Sequence, residues 1–243
     1  MVRLSVNVNK VATLRNARGG ERPSVVEAAR VALAAGAHGI TVHPRPDGRH
    51  IRRADVLDLA RVTAEHGVEL NIEGYPSPDL LALVEEAQAA QCTLVPDPPD
   101  VLTSNAGWKL EGAGWLREVL RRLRASGIRS SLFVDTEVAE AARAGDLGAD
   151  RVELYTEAYA TAFPGAQREA VLARYVRMAQ AAADAGLGVN AGHDLDLQNV
   201  GLFTARVPGL LELSIGHALV SDALLMGLAP AVRAYLEAMQ AGR

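Results

Sequence analysis

The chain has 243 residues, of which 49% are hydrophobic and 22% are charged, and its formal net charge is −4. This composition is typical of a folded globular protein and excludes a largely disordered chain. Because there is no block of basic residues, we expect neither nucleic acid nor an anionic membrane surface as the main partner. No segment reaches the roughly 18 apolar residues of a membrane span. The single cysteine, Cys92, excludes an intramolecular disulfide and predicts a buried thiol in a cytoplasmic protein.

Short β-branched runs alternate with amphipathic stretches rich in alanine and leucine along the whole chain. Eight runs are predicted strands: LSVNVN (4–9), GITVH (39–43), VELNIE (68–73), CTLVP (92–96), RSSLFVD (129–135), DRVELYT (150–156), LGVNA (187–191) and LLELSI (210–215). The intervening patterns predict helices at 24–36, 54–67, 77–90, 114–127, 136–145, 166–186, 195–205, 217–227 and 230–242. Four glycines are predicted to end helices: Gly36, Gly67, Gly127 and Gly186.

Strictly alternating strands and helices predict a parallel sheet with right-handed crossovers. Eight such units at roughly 30-residue spacing fit a closed (β/α)8 TIM barrel, so we expect one domain over residues 1–243. An open doubly wound sheet is the structural alternative. Its glycine-rich dinucleotide fingerprint is absent after the first predicted strand, which favours the barrel.

In a barrel of this kind the chemistry lies at the carboxyl ends of the strands and on the loops that follow. Nearly every predicted strand of this chain offers an ionisable or amide side chain there. The residues in question are Asn7, Asn9, Lys10, His43, Glu73, Thr103, Asp135, Glu153, Asn190, His193, Asp194 and His217. Because chance would scatter such groups between both ends, the pattern favours an enzyme.

The segment HPRPDGRH, residues 43–50, crowds histidines and arginines onto a turn that two prolines stiffen. A guanidinium binds a phosphate through a bidentate fork, so this loop predicts an anionic substrate. His43 alone is equally compatible with a satisfied core histidine. Glu73 and Glu153 interrupt apolar runs, and a buried carboxylate needs a partner or a task.

Two further segments are compatible with phosphate binding. Gly192-His193 and Gly216-His217 place backbone N–H groups after strands seven and eight, where barrels often hold phosphate, although these glycines could simply serve tight turns. Arg15 and Arg18 lie beside two glycines. They fit either a lid over a phosphate or ordinary exterior salt bridges.

Seven motifs together resemble the pyridoxine 5'-phosphate synthase family: VATLRNARGG (11–20), GITVHPRPDGRHI (39–51), LNIEGYP (70–76), LVPDPP (94–99), LFVD (132–135), VNAGHDL (189–195) and SIGHAL (214–219). They follow the family's order over nearly the whole chain. The resemblance implies a (β/α)8 barrel with additional helices, assembled as a homo-octamer. It also implies condensation of 3-amino-2-oxopropyl phosphate with 1-deoxy-D-xylulose 5-phosphate, followed by ring closure to pyridoxine 5'-phosphate. That reaction uses no metal ion and no organic cofactor.

The resemblance also implies roles for individual residues. By this resemblance His43 and Glu73 accept protons and His193 donates one. Glu153 stabilises charge during the reaction. The aminoketone phosphate is then held by Asn7, Arg18, Gly216 and His217, with Asp194 beside them. The deoxyxylulose phosphate is held by Arg45, His50 and Thr103.

The chain departs from the family pattern at two places. Asn9-Lys10 stands where many members have Asp-His, and Asp194 stands where others have glycine. We expect the reaction to be retained, because Lys10 can still contact a phosphate.

Two other functions remain open. The first is a metal-dependent sugar-phosphate isomerase or epimerase that uses the histidines and glutamates as ligands, although the chain has no HxH or HExxH pair. The second is a non-catalytic barrel that binds phosphorylated metabolites.

Overall fold

A closed barrel of eight parallel strands, paired in sequence order, forms the centre of the protein. The computed structural model describes residues 1–97 and 106–241. The strands are β1 (Arg3–Asn7), β2 (Gly39–Val42), β3 (Glu69–Gly74), β4 (Gln91–Leu94), β5 (Arg129–Val134), β6 (Arg151–Tyr155), β7 (Gly188–Gly192) and β8 (Leu210–Ile215). β8 pairs with β1 and closes the ring, which confirms the predicted TIM barrel and rules out the open sheet.

Helices surround this barrel. The described residues form α1 (Asn9–Asn16), α2 (Val25–Ala34), α3 (Arg53–His66), α4 (Pro78–Glu86), α5 (Leu116–Ala125), α6 (Val138–Leu147), α7 (Glu157–Ala162), α8 (Arg168–Asp184), α9 (Val200–Arg206), α10 (His217–Met226) and α11 (Leu228–Ala241). α1, α7 and α11 are additional to the one helix per strand that a minimal barrel needs.

The sequence explains how the helices begin, end and face the barrel. In α2, the face predicted from the 3.6-residue period is buried, as Ala29 and Ala32 illustrate, and Ser24 caps its first turn by accepting the N–H of Glu27. Gly67 takes the left-handed conformation at the end of α3, with φ of 63°. Such a residue returns the chain to the sheet without a Cβ clash.

Two helices were not predicted. Strand one was expected over 4–9, but β1 ends at Asn7 and Asn9 begins α1. The oxygen of the Asn7 side chain accepts the N–H of Asn9, which turns the chain out of the strand at that point. The second is α7, only six residues long, which follows β6 directly.

The amino-terminal end of the barrel is filled by an ion-pair network that includes Glu69 and Arg129, whose Nη2 and Oε2 atoms lie 2.5 Å apart. Asn190 belongs to this end, because it hydrogen-bonds Gln91 and Arg151 at the starts of β4 and β6. Placing Asn190 among the candidate site residues was therefore wrong. A register shift in β7 between Val189 and Asn190 accompanies this placement.

Cys92 is fully buried in β4, as predicted, and burial raises the pKa of its thiol to about 12. Within the described ranges, no helix combines the length and the apolar character needed to cross a bilayer.

Candidate active site

Glu73 lies at the centre of the carboxyl-terminal face, near the end of β3, and is 3% exposed. Its Oε1 accepts a hydrogen bond from Ser214, and its Oε2 accepts one from the amide of Asn7, each at 3.5 Å. The Nδ1 of His43 lies 4.0 Å from the same Oε2. Burial, together with the charge of Glu153, raises the pKa of Glu73 well above its ordinary value and so favours the protonated form of this carboxyl.

Glu153 is the second buried carboxyl and is 1% exposed in β6. Thr93 donates to its Oε2 at 3.2 Å, whereas its Oε1 has no hydrogen-bond partner among the described residues. Burial and the charge of Glu212 raise the pKa of Glu153 to about 8. An unpaired polar atom in a buried site is costly unless a substrate or water meets it.

Three imidazoles lie around these carboxyl groups and are uncharged at neutral pH. Burial is the main cause in each, lowering the pKa of His43 to about 3 and those of His50 and His193 to about 4. Neighbouring positive charges, including that of Arg45, lower the pKa of His43 and His50 further. His43 and His50 face each other edge to face, with ring centroids 6.1 Å apart. The positions of His43, Glu73 and Glu153 agree with the predicted ring of polar strand ends.

The loop from His43 to His50 is held from two sides. Arg45 is buried and forms an ion pair of 3.5 Å with Asp97, which follows β4. From α1, the amide of Asn16 donates to the carbonyl of His50 at 2.8 Å. This loop is therefore fixed to neighbouring elements before any substrate binds.

Arg15 does not form a lid. Its side chain is 2% exposed and its guanidinium makes a bidentate pair with Asp55 on α3, with N–O distances of 2.5 and 2.9 Å. It also donates to the carbonyl of His50 at 3.2 Å. Both readings of Arg15, the phosphate lid and the exterior salt bridge, were wrong, because Arg15 is buried, pairs with the partly buried Asp55 and so joins α1, α3 and the loop of residues 43–50. Arg18 is exposed in the turn after α1.

The departures from the family pattern have structural roles. The Asn9 side-chain oxygen accepts the backbone N–H of His43 at 2.9 Å and so fixes the end of β2. Lys10, partly exposed, is one of the charges that lower the pKa of His50, which places its ammonium group beside the loop of residues 43–50. Asp194 adopts φ of 45°, a left-handed conformation that suits glycine better than other residues.

Glycines let the chain approach the site closely at two strand ends. A Cβ on Gly192 would lie 2.6 Å from Oε1 of Glu153, and one on Gly216 would lie 2.9 Å from the Cβ of Asn7. Neither glycine has a positive φ, so close approach rather than a tight turn explains them. His217 is exposed and begins α10, as predicted.

Two further predicted site positions are Asp135 and Thr103. Asp135 accepts the backbone N–H of Gly107 at 3.2 Å and so anchors the chain segment that precedes α5. Thr103 lies outside the described residues. Within the described ranges, no group of three or more His, Cys, Asp or Glu side chains is arranged as a set of metal ligands.

Several residues that shape the site were not identified from the sequence. Asn16 donates to the carbonyl of His50 in the loop of residues 43–50, Asp55 accepts from Arg15, and Thr93 donates to Glu153. Their partners lie between about 34 and 60 residues away in the chain. No local pattern marks such contacts, although the alternation Asn71, Glu73 and Thr93 along inward-facing strand positions is a signal for a polar barrel interior.

This architecture defines a parallel (β/α)8 barrel with an ionisable cluster at the carboxyl ends of its strands. Similar folds include tryptophan synthase from M. tuberculosis, with a TM-score of 0.66 at 15% identity over 99% of this chain and 92% of that one. Thiamine phosphate pyrophosphorylase from Pyrococcus furiosus has a TM-score of 0.62 at 16% identity over 99% and 96% of the two chains. At such low identity these likenesses show the fold alone.

Residues 4–241 match the family model described as pyridoxal phosphate biosynthesis protein PdxJ, and the chain belongs to this family. A relative from Xanthomonas axonopodis pv. citri, named pyridoxine 5'-phosphate synthase, is 53% identical over 98% of this chain and 97% of its own length. One of the same name from Bacteroides thetaiotaomicron is 52% identical over 97% and 98%. The resemblance read from the seven sequence motifs is confirmed.

Proposed function

We propose that this protein is a pyridoxine 5'-phosphate synthase of the transferase class. The amine of 3-amino-2-oxopropyl phosphate condenses with the ketone of 1-deoxy-D-xylulose 5-phosphate, inorganic phosphate leaves, and ring closure gives pyridoxine 5'-phosphate and water. The observation that carries the proposal is the buried cluster at the carboxyl ends of the strands, where Glu73 lies 4.0 Å from the Nδ1 of His43 and the Oε1 of buried Glu153 has no hydrogen-bond partner among the described residues. A condensation with several proton transfers needs more than one acid–base group.

In this proposal His43 and Glu73 accept protons. Burial leaves His43 neutral in the free site, and the negative charge of a bound phosphate raises its pKa so that the imidazole can accept a proton. Burial favours the protonated form of Glu73, whereas the ammonium group of the aminoketone substrate favours its ionised form because an opposite charge lowers a carboxyl pKa. Substrate binding thus prepares Glu73 as a base.

Glu153 and His193 complete the chemistry. The Oε1 of Glu153 has no protein partner among the described residues and faces the site beside Gly192, so this carboxyl can stabilise charge on an intermediate. His193 is neutral in the free site. A phosphate dianion bound beside it raises its pKa, and the imidazole then serves as the proton donor.

The two phosphates bind at two separate subsites in this proposal. Arg45 and His50, with Lys10 nearby, hold the deoxyxylulose phosphate, and a guanidinium can bind Asp97 and a phosphate together because it carries five N–H donors. Thr103 contributes to the same subsite. The aminoketone phosphate is held by the residues Asn7, Arg18, Asp194, Gly216 and His217.

We further propose a cytoplasmic homo-octamer. Three apolar side chains at the end of α10 support self-association: Leu224 is 71% exposed, Leu225 is 93% exposed and Met226 is 43% exposed. A contiguous exposed apolar patch commonly marks an interaction surface. Sedimentation equilibrium of the purified protein tests this assembly, and a monomeric mass would contradict it.

The activity is tested with purified, chelator-treated protein that is given the two substrates together and singly. We expect product only when both are present, with no loss after chelation. A metal-dependent isomerase would instead convert one substrate alone and lose activity with the chelator. A binding protein would show affinity without phosphate release.

A further inference from the structure

The loop that carries His193 has an unfavourable backbone conformation. His193 has φ of 72° and Asp194 has φ of 45°, so two consecutive residues other than glycine are left-handed. The N–H of Leu195 bonds the carbonyl of His193 at 2.5 Å and closes a three-residue turn. Residues in such conformations persist only where neighbouring groups hold them.

Thr156, at the end of β6, supplies these restraints. It is fully buried, and its backbone N–H donates to the carbonyl of Gly192 at 3.1 Å. Its hydroxyl is shared between two carbonyls of the loop, that of Gly192 at 2.8 Å and that of His193. Thr156 is also the residue before α7, yet its side chain makes no capping hydrogen bond to that helix. A threonine at this position normally caps the helix, so the hydroxyl is committed to the loop instead.

The imidazole is held as closely as the backbone. The ring of His193 packs against Phe133 with centroids 4.9 Å apart and edge to face against Tyr155 at 5.4 Å. Tyr155 is itself fixed, because Tyr175 donates to its carbonyl at 2.7 Å. The backbone restraint from Thr156 and the aromatic slot together determine the direction of the imidazole.

We propose that Thr156 is a positioning residue that holds the imidazole of His193 in its aromatic slot through the carbonyls of Gly192 and His193. This inference rests on the proposed function, in which His193 donates a proton. Thr156 does not touch the substrate. It acts on turnover by fixing the angle at which His193 meets the reacting atoms, to which rates are sensitive.

The test compares Thr156→Val, which removes the hydroxyl at nearly constant shape, with Thr156→Ser, which keeps it. We expect kcat of the valine variant to fall by about 10- to 100-fold, the range for a misplaced catalytic group, while KM for both substrates stays within about twofold. The serine variant should retain wild-type kcat. Loss of activity in both variants, or a change confined to KM, would overturn the inference.

A spectroscopic measurement separates this inference from the proposed function. The ring protons of His193, assigned by their absence in His193→Ala, carry ring-current shifts from Phe133 and Tyr155. We expect Thr156→Val to lose those shifts and Thr156→Ser to keep them, whether or not the protein makes pyridoxine 5'-phosphate. If the valine variant does not fold, Thr156→Ala serves in its place. Unchanged shifts in a folded variant without the hydroxyl would overturn the inference.

Discussion

His43, His50 and His193 owe their low pKa values to burial, and in His43 and His50 also to neighbouring positive charge. Burial has the opposite effect on Glu73 and Glu153, whose pKa values it raises. Burial therefore favours the uncharged forms of all five groups in the free site. Under the proposed function, the phosphates and the ammonium group of the substrates shift these pKa values when they bind.

We expect His193→Ala to reduce kcat by roughly 10²- to 10⁴-fold, the usual contribution of a general acid or base. The dissociation constants of both substrates should change little, because the other residues proposed to hold the phosphates remain and the imidazole itself packs against Phe133 and Tyr155. Stopped-flow turnover and calorimetric titration measure the two quantities. Full turnover in this variant would remove His193 from the mechanism.

Arg45→Ala tests whether the loop of residues 43–50 binds the phosphate of deoxyxylulose phosphate. We expect it to weaken binding of deoxyxylulose phosphate by roughly 1.5–3 kcal/mol, the range for hydrogen bonds to charged groups. Arg61→Ala is the matched control, because Arg61 lies on the exposed face of α3 and pairs with Asp58. Calorimetry gives both dissociation constants. Equal affinity in wild type and Arg45→Ala would mean that the loop does not clamp the phosphate.

At the scale of elements, β-branched strand runs and Ala- and Leu-rich helices are well predicted because their periodicity reflects burial on one face. The helix α1 was missed because the chain leaves β1 at Asn7 through a side-chain hydrogen bond, in which the Asn7 oxygen accepts the N–H of Asn9. The sequence pattern does not show this contact. Arg15 was misread because its partner, Asp55, lies 40 residues further along the chain. The candidate site was found from strand ends, whereas the residues that hold its loops depend on such distant contacts.

The pair of Arg15 and Asp55 joins α1, α3 and the loop of residues 43–50. We expect Arg15→Ala to lower the free energy of unfolding by about 3–5 kcal/mol, because it leaves a largely buried carboxylate without its partner. Arg30→Ala is the control, because Arg30 forms an exposed pair with Glu65. This variant should lower the free energy of unfolding by only about 0.2–1 kcal/mol. Urea denaturation of the two variants measures the difference. Similar small losses in both would show that Arg15 does not join these elements.

At the scale of the whole molecule, the buried carboxyl groups link stability to pH. The folded-state pKa of Glu153 is about 8 and its ordinary value is 4.5, so between these values the folded protein holds a proton that the unfolded chain has lost. The free energy of unfolding therefore falls as pH rises through this window. The contribution of Glu153 to the free energy of unfolding is therefore larger in mild acid than at pH 8.

Glu153→Gln removes this linkage. We expect wild type to lose more stability than the variant between about pH 5 and about pH 8.5, measured by urea denaturation at each pH. Glu237→Gln is the control, because Glu237 is exposed on α11 and should leave the wild-type slope unchanged. Parallel slopes in wild type and Glu153→Gln would mean that the folded protein buries Glu153 in its charged form.

Under the proposed function, this barrel joins two phosphorylated substrates at the carboxyl ends of its strands. The most direct measurement is the molar ratio of pyridoxine 5'-phosphate to inorganic phosphate formed by the wild-type protein with both substrates present. We expect one phosphate to be released for each pyridoxine 5'-phosphate formed. Phosphate released without the ring product, or no release despite tight binding of both substrates, would contradict it.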